Sequence, residues 1–185
     1  MLTSLIFYPS LGYNLAKNYL QPSKWQWYSR IDENIIVGAL PFQSMLNDLE
    51  KEKVGGVVCC TEKFELAISY KAMEEQDWAV KGIKFHHVPM TDFTGSTSRQ
   101  EVVGAVDFID NINKDGKTVY IHCKAGRTRS ATVAMCYLLH KYDYMPNVAF
   151  EFLKQKRDQV MLRNAHWRTI SEYRRYLDAQ KKITP

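Results

Sequence analysis

The hydrophobic pattern along the chain changes period repeatedly, and each change marks an element. Short apolar runs occur at Asn34-Ile-Ile-Val-Gly38, Val54-Gly-Gly-Val-Val-Cys-Cys60, Ile83-Lys-Phe-His-His-Val88 and Thr118-Val-Tyr-Ile-His122. Their length and β-branched content suit strands, and runs that are apolar throughout suit a parallel sheet covered on both faces. Between them the apolar residues recur every three or four positions. Pro41 opens one such stretch, which reads as a helix to about Lys51. Phe64 to Trp78 alternates unevenly and reads as mostly helical. Ser98 to Asn111 is helical, with Ser98 as N-cap and Glu101 completing a capping box. Lys114-Asp-Gly116 is a turn, and Ser130–His140, Pro146–Arg157 and His166–Ala179 carry helical spacing. Strands alternating with helices, then helices alone, predict an α/β domain with a central, mostly parallel sheet flanked by helices. At 185 residues the length fits one domain, and no repeat or low-complexity tract interrupts it.

The run at Thr118–His122 leads straight into Cys123, a five-residue loop, Arg129 and the small-residue helix start at Ser130. A loop feeding a helix N-terminus turns several unpaired backbone N–H groups toward one spot, and the helix dipole adds positive potential there. An anion of phosphate size fits that spot, which makes Lys124, Ala125, Gly126, Arg127, Thr128 and Arg129 the candidate phosphate-binding residues. Gly126 lets the backbone curl closely. Arg129 offers a planar fork for two phosphate oxygens, and Lys124 and Arg127 add positive charge at the rim. The same field favours a thiolate, since cysteines so placed have pKa values of about 3.5–7.5. Cys123 is therefore a nucleophile aimed at phosphorus, with His122 beside it and Ser130 able to hydrogen-bond the sulfur. The departing alkoxide needs a proton. Asp92, in the loop Thr91-Asp-Phe-Thr-Gly95 and 31 positions before Cys123 (123 − 92), is the candidate donor, because loops after parallel strands gather at one sheet edge. Cys-x5-Arg by itself is a weak pattern; the strand, His122, Gly126 and the helix start give it specificity. His86 and His87 lack ligand spacing, so neither a metal nor another cofactor is expected.

Charge and composition narrow the partners. Lys and Arg number 25 against 20 Asp and Glu, a net +5, which suits anionic substrates or lipid surfaces; no nucleic-acid recognition motif is present and no such partner is expected. The 4 cysteines follow neither a disulfide nor a zinc spacing, which points to a reducing compartment. Residues 1–20 contain no acid, one lysine and four aromatics, and Pro9 and Gly12 are expected to break the segment, against a transmembrane helix. No basic leader is evident either. A segment lying on a bilayer fits the aromatics, and an arm packed on the domain is the alternative. The chain thus divides into an arm, 1–22, and a single domain, 23–185, with a monomer expected. Cys59 and Cys60 end a strand expected to neighbour that of Cys123. One of them is then within disulfide reach of Cys123 and could protect it from irreversible oxidation; the alternative is two buried small hydrophobes.

The His-Cys-x5-Arg-Ser pattern of His122–Ser130 resembles the signature of the dual-specificity branch of the Cys-based phosphatases. Phe7-Tyr-Pro-Ser10, Trp27-Tyr-Ser-Arg-Ile-Asp32, Gly38-Ala-Leu-Pro41, Gly55-Gly-Val57, Met90-Thr-Asp-Phe-Thr-Gly95 and His122 to Thr132 together resemble the mitochondrial protein-tyrosine-phosphatase-like family, over nearly the whole chain. The resemblance implies a dual-specificity-phosphatase-like fold, with Cys123 as nucleophile, Asp92 as general acid and Arg129 on the phosphate. It also implies hydrolysis of phosphatidylglycerophosphate to phosphatidylglycerol, a step toward cardiolipin, by a peripheral protein of the mitochondrial inner membrane. The chain departs from the family at Thr61-Glu-Lys-Phe-Glu65, where an acidic-acidic-Tyr-Glu stretch is usual, and at Arg163-Asn-Ala-His166 in place of Arg-Pro-Gly-Gln. The basic loop also suits a phosphoinositide. A dual-specificity phosphatase acting on phosphorylated Tyr, Ser or Thr in proteins, an inactive phosphate-binding module and a sulfurtransferase are further alternatives; Asp92 has no role in the last.

Overall fold

The computed structural model describes residues 2–92, 95 and 97–183. Strands β1 (Tyr28–Arg30), β2 (Ile35–Gly38), β3 (Val54–Cys59), β4 (Lys84–His87) and β5 (Thr118–His122) form one sheet in the order β1-β2-β5-β3-β4. Only β1 runs antiparallel to its neighbour; the other pairings are parallel, as the pattern predicts. β5 lies at the centre, and all five of its residues are buried. Its side chains alternate between two cores. Val119 and Ile121 join Val58, Val106, Ile109, Val133 and Leu138 on one face. Tyr120 joins Ile36, Val57, Leu49 and Trp78 on the other.

The helices are α1 (Leu2–Leu20), α2 (Leu46–Lys51), α3 (Lys63–Ala67), α4 (Glu75–Val80), α5 (Arg99–Asn113), α6 (Arg129–Tyr142), α7 (Pro146–Lys156) and α8 (Asn164–Ile183). Every residue of α6 from Arg129 to Leu139 is buried, because α6 packs under α5, α7 and α8 on one face of the sheet. Ser98 caps α5 by accepting from the Glu101 amide at 3.2 Å.

Four expectations change. β1 is three residues long with one buried position, too short to show a period, so the pattern missed it. A turn holds it against β2: Asp32 Oδ1 accepts from the amides of Asn34 and Ile35 at 2.9 and 2.8 Å. The helix expected from Pro41 begins later, with a single 3-10 turn over Gln43–Met45 before α2. Phe42 is drawn into an extended bridge with Ala72, and Pro41 O accepts from Met73 N at 2.8 Å. Phe64 to Trp78 is two short helices, each starting at a capping box, with Lys71 at φ 60° between them. Finally, α1 runs unbroken through Pro9 and Gly12. Pro9 deletes one helical bond, but Phe7 and Leu11 are buried against Leu40, Cys59 and Leu66, which holds the helix to the domain. Among the described residues no helix is long and apolar enough to cross a membrane.

Gly38, where β2 ends, is sterically required. A Cβ there would lie 2.0 Å from Tyr120 Oη, whose hydroxyl donates to Ala39 O at 2.8 Å. Gly38→Ala is expected to destabilise the fold by about 1–3 kcal/mol through overpacking, a loss readable by urea unfolding.

Candidate active site

β5 delivers His122 and Cys123 to the carboxyl edge of the sheet, and the chain turns at once into α6. Gly126 makes the turn possible. It sits at φ +63°, and a Cβ would lie 2.4 Å from the Gly38 carbonyl carbon and 2.6 Å from Arg157 Nη2. Cys123 Sγ lies 3.3 Å from Ser130 Oγ. Burial pushes the Cys123 thiol up. The Arg129 charge, the Ser130 hydroxyl and the backbone N–H groups of Ser130 and Arg127 more than offset that, so its pKa falls below the ordinary thiol value.

Arg129 is buried, and its fork is fully engaged. Nη1 and Nη2 donate to the two Glu65 oxygens at 2.6 and 3.0 Å, Nη1 also reaches Met90 O at 3.0 Å, and Nη2 meets Asp92 Oδ1 at 3.0 Å. The other Asp92 oxygen pairs with Lys124 Nζ. Lys124 is not at the rim: it is 4% exposed, because α1 covers it. Its ammonium donates to Ser10 Oγ at 2.7 Å and stands 5.3 Å from the centre of the Phe7 ring. Arg127 is half-buried, donating to Gln159 O at 3.1 Å and lying 5.0 Å over the Trp25 ring. Cys123, Asp92, Lys124, Ala125, Arg127, Thr128 and Arg129 line one cavity of about 70 Å³, together with Met161 and Arg163. A larger depression of about 670 Å³ beside α5 and α8 contains none of these groups. In the Asp92 loop, Phe93 and Thr94 lie outside the described residues.

His122 is fully buried, and burial pushes its imidazole down to about 3, so it stands neutral behind the thiol. The unfolded chain binds a proton here below its ordinary value of 6.5, and the folded chain refuses it until about 3. Stability is therefore complete above 6.5 and falls as pH drops through this window, by about 1.4 kcal/mol per pH unit for one group. His86 and His166, also lowered by burial, act with the same sign. Urea midpoints measured from pH 7 to pH 4 should fall, and His122→Asn should flatten the slope.

Two residues of the site went unread in the sequence. Glu65, 1% exposed, holds Arg129 in a two-pronged pair; in the sequence it stands only as the last residue of the divergent Thr61–Glu65 stretch. Arg157, 2% exposed, donates to Gly126 O at 2.6 Å, Ala125 O at 3.3 Å, Ser29 Oγ at 3.1 Å and Gln26 O at 3.1 Å. By drawing the two loop carbonyls outward it leaves the loop amides facing the cavity. Burial lowers its pKa to about 10. In the sequence it stands only as the last residue of the Pro146–Arg157 helical stretch.

Residues 49–176 match the family described as dual specificity phosphatase, catalytic domain. Two relatives come from Arabidopsis thaliana. Phosphatidylglycerophosphate phosphatase PTPMT2 is 35% identical over 92% of this chain and 72% of its own length. Phosphatidylglycerophosphate phosphatase PTPMT1 is 34% identical over 91% of this chain, which spans only 48% of that relative. A solved structure described as PTPMT1 in complex with PI(5)P superimposes with a TM-score of 0.80 at 28% identity, covering 84% of this chain and 99% of that one. With the cysteine loop, the parallel sheet and these likenesses together, the chain belongs to the dual specificity phosphatase family, in the group that holds the phosphatidylglycerophosphate phosphatases.

Proposed function

We propose that the chain hydrolyses the phosphomonoester of phosphatidylglycerophosphate through a phosphocysteine intermediate. The observation that carries this reading is the facing of the Cys123 thiol, held below its ordinary pKa, and the Asp92 carboxyl across one small cationic cavity. Cys123 Sγ attacks phosphorus in line while Asp92 hands its proton to the departing glycerol oxygen. Asp92 then takes a proton from the water that attacks the phosphocysteine, and phosphate leaves. The Ser130 hydroxyl stabilises the returning thiolate. Arg129 and the loop amides hold the equatorial oxygens throughout. The Asp92 carboxylate rests on Arg129 and Lys124, two cations that a phosphate would use. Substrate therefore exchanges phosphate for carboxylate on Arg129, and the released Asp92 takes up a proton from solvent, which it then donates to the leaving group.

Two relatives named as phosphatidylglycerophosphate phosphatases support the lipid substrate. The outer face of α1 supports its presentation on a bilayer. Tyr13, Tyr19 and Leu20 are exposed there at 52, 86 and 73% while Phe7 faces inward and the Tyr8 hydroxyl donates to Ile68 O at 2.8 Å, which leaves aromatics on the outer side. The reading places a monomer peripherally on an anionic membrane, at the mitochondrial inner membrane by resemblance. A phosphoinositide substrate is the second reading, favoured by the buried Lys124 and by the PI(5)P complex of the solved relative.

Phosphate release from vesicles of phosphatidylglycerophosphate, from phosphoinositide vesicles and from a phosphotyrosine peptide, with Cys123→Ser as blank, tests the proposal. Preference for the glycerophosphate lipid is expected. Equal or faster turnover of the peptide overturns it, and preference for the inositide selects the second reading.

A further inference from the structure

A groove opens beside the catalytic cavity, and the chemistry described so far leaves it without a role. Its volume is about 380 Å³, and it shares Arg127 and Met161 with the cavity of Cys123, so the two are continuous. The rest of its wall is largely apolar. Trp25 comes from the segment after α1, Phe150 from α7, and Val160 and Leu162 from the connection between α7 and α8. That connection is pinned to the phosphate loop: Met161 N donates to Arg127 O at 3.0 Å, and Arg127 Nε donates to Gln159 O at 3.1 Å. Among the described residues the Arg127 side chain meets an acceptor through Nε alone, so the outer end of its fork is available where the two cavities join. The other cation of the groove is already engaged, since Lys154 Nζ donates to Asp158 O at 2.8 Å and Val160 O at 3.3 Å. Met161 remains 41% exposed on the shared wall.

The groove also leads back to α1. The Trp25 ring lies 5.0 Å under the Arg127 guanidinium and meets the Tyr13 ring edge-on at 6.1 Å. Asn18 Nδ2 donates to Trp25 O at 2.7 Å, which ties this segment to the helix. A row of side chains thus runs from Tyr13, on the outer side of α1, through Trp25 to Arg127 and the thiol loop.

We propose that this groove takes the first methylenes of one acyl chain of the substrate lipid, with Arg127 facing the phosphodiester between that chain and the scissile phosphate. The inference rests on the lipid-phosphate reading of the active site. The order of groups in the lipid matches the order of the cavities. A phosphomonoester stands at one end of the headgroup glycerol and an anionic phosphodiester at the other. Seating the first on Cys123 carries the second to Arg127, and the acylated glycerol passes onward over Met161 and Trp25. The catalytic cavity alone is well below the roughly 300–1,000 Å³ of ordinary ligand sites, and together with the groove it enters that range. A lipid drawn up to the thiol brings its first methylenes out of the bilayer, and Trp25, Phe150 and Leu162 spare them exposure to water.

The test uses the full chain and two soluble substrates below micelle-forming concentration: dihexanoyl phosphatidylglycerophosphate and the same headgroup with both acyl chains removed. The parent should prefer the acylated form by at least about tenfold in kcat/KM, with the gain in KM, as burial of a few methylenes requires. Trp25→Ser and Leu162→Ser should each cut that preference by about threefold or more. The preference is a ratio measured on one protein, so partial misfolding does not imitate its loss. Binding is read separately on Cys123→Ser. A lipid brominated on one acyl chain should quench tryptophan emission, and adding Trp25→Phe should remove a large part of the quenching. Equal turnover of both forms by the parent, a preference that survives both serine variants, or quenching unchanged by Trp25→Phe each overturns the groove. A parent that cleaves an aryl phosphate but neither glycerophosphate overturns the substrate reading instead, and the quenching, which needs no turnover, then decides the groove.

Discussion

Cys123→Ser is expected to lower phosphate release by at least about four orders of magnitude, the scale on which removal of a covalent nucleophile acts. The cradle that activates sulfur cannot rescue oxygen. Arg129, Ser130 and the loop amides bring a thiol below its ordinary pKa, but an aliphatic hydroxyl starts far higher and stays protonated. The cost falls on chemistry and not on the fold, because Ser is close to isosteric and the loop is shaped by Gly126, Arg129 and Arg157. The variant should still bind inorganic phosphate, which calorimetry would register. Residual turnover within a hundredfold of the parent would move the nucleophile elsewhere.

Asp92→Asn has the second largest expected effect, and its size should depend on the leaving group. A general acid contributes about 10²–10⁴-fold when the departing oxygen is a poor leaving group. The glycerol alkoxide of a lipid needs that proton; the phenolate of an activated aryl phosphate does not. The kcat on lipid should therefore fall by that factor, with a much smaller loss on the aryl ester. The KM should not rise, because the variant also removes a carboxylate that competes with phosphate for Arg129 and Lys124. Equal losses on both substrates would remove Asp92 from the acid role and leave it a structural partner of the two cations.

The contrast between Cys123 and Glu65 explains what the sequence could carry. The loop is legible because its residue types are demanded one by one within eight consecutive positions, 123 to 130: a thiol, a glycine with φ +63°, a fork and a hydroxyl. The sheet is legible because parallel strands covered on both sides must be apolar throughout. Glu65, Arg157 and Ser10 act through partners 64, 31 and 114 positions away. On paper a charge bound for burial looks the same as a solvated one, and only the tertiary fold distinguishes them. β1 and the α1 path through Pro9 were hidden for the same reason: each is held by distant contacts, against or without a local preference.

One of those contacts binds the two ends of the story together. Phe7 and Ser10 hold Lys124, and Lys124 holds Asp92. A force that tilts α1 is thus passed through Lys124 to Asp92. An arm resting on a lipid surface would act as a lever on catalysis as well as a mooring. Trimming it would edit the catalytic loop from outside, although every loop residue stayed in place.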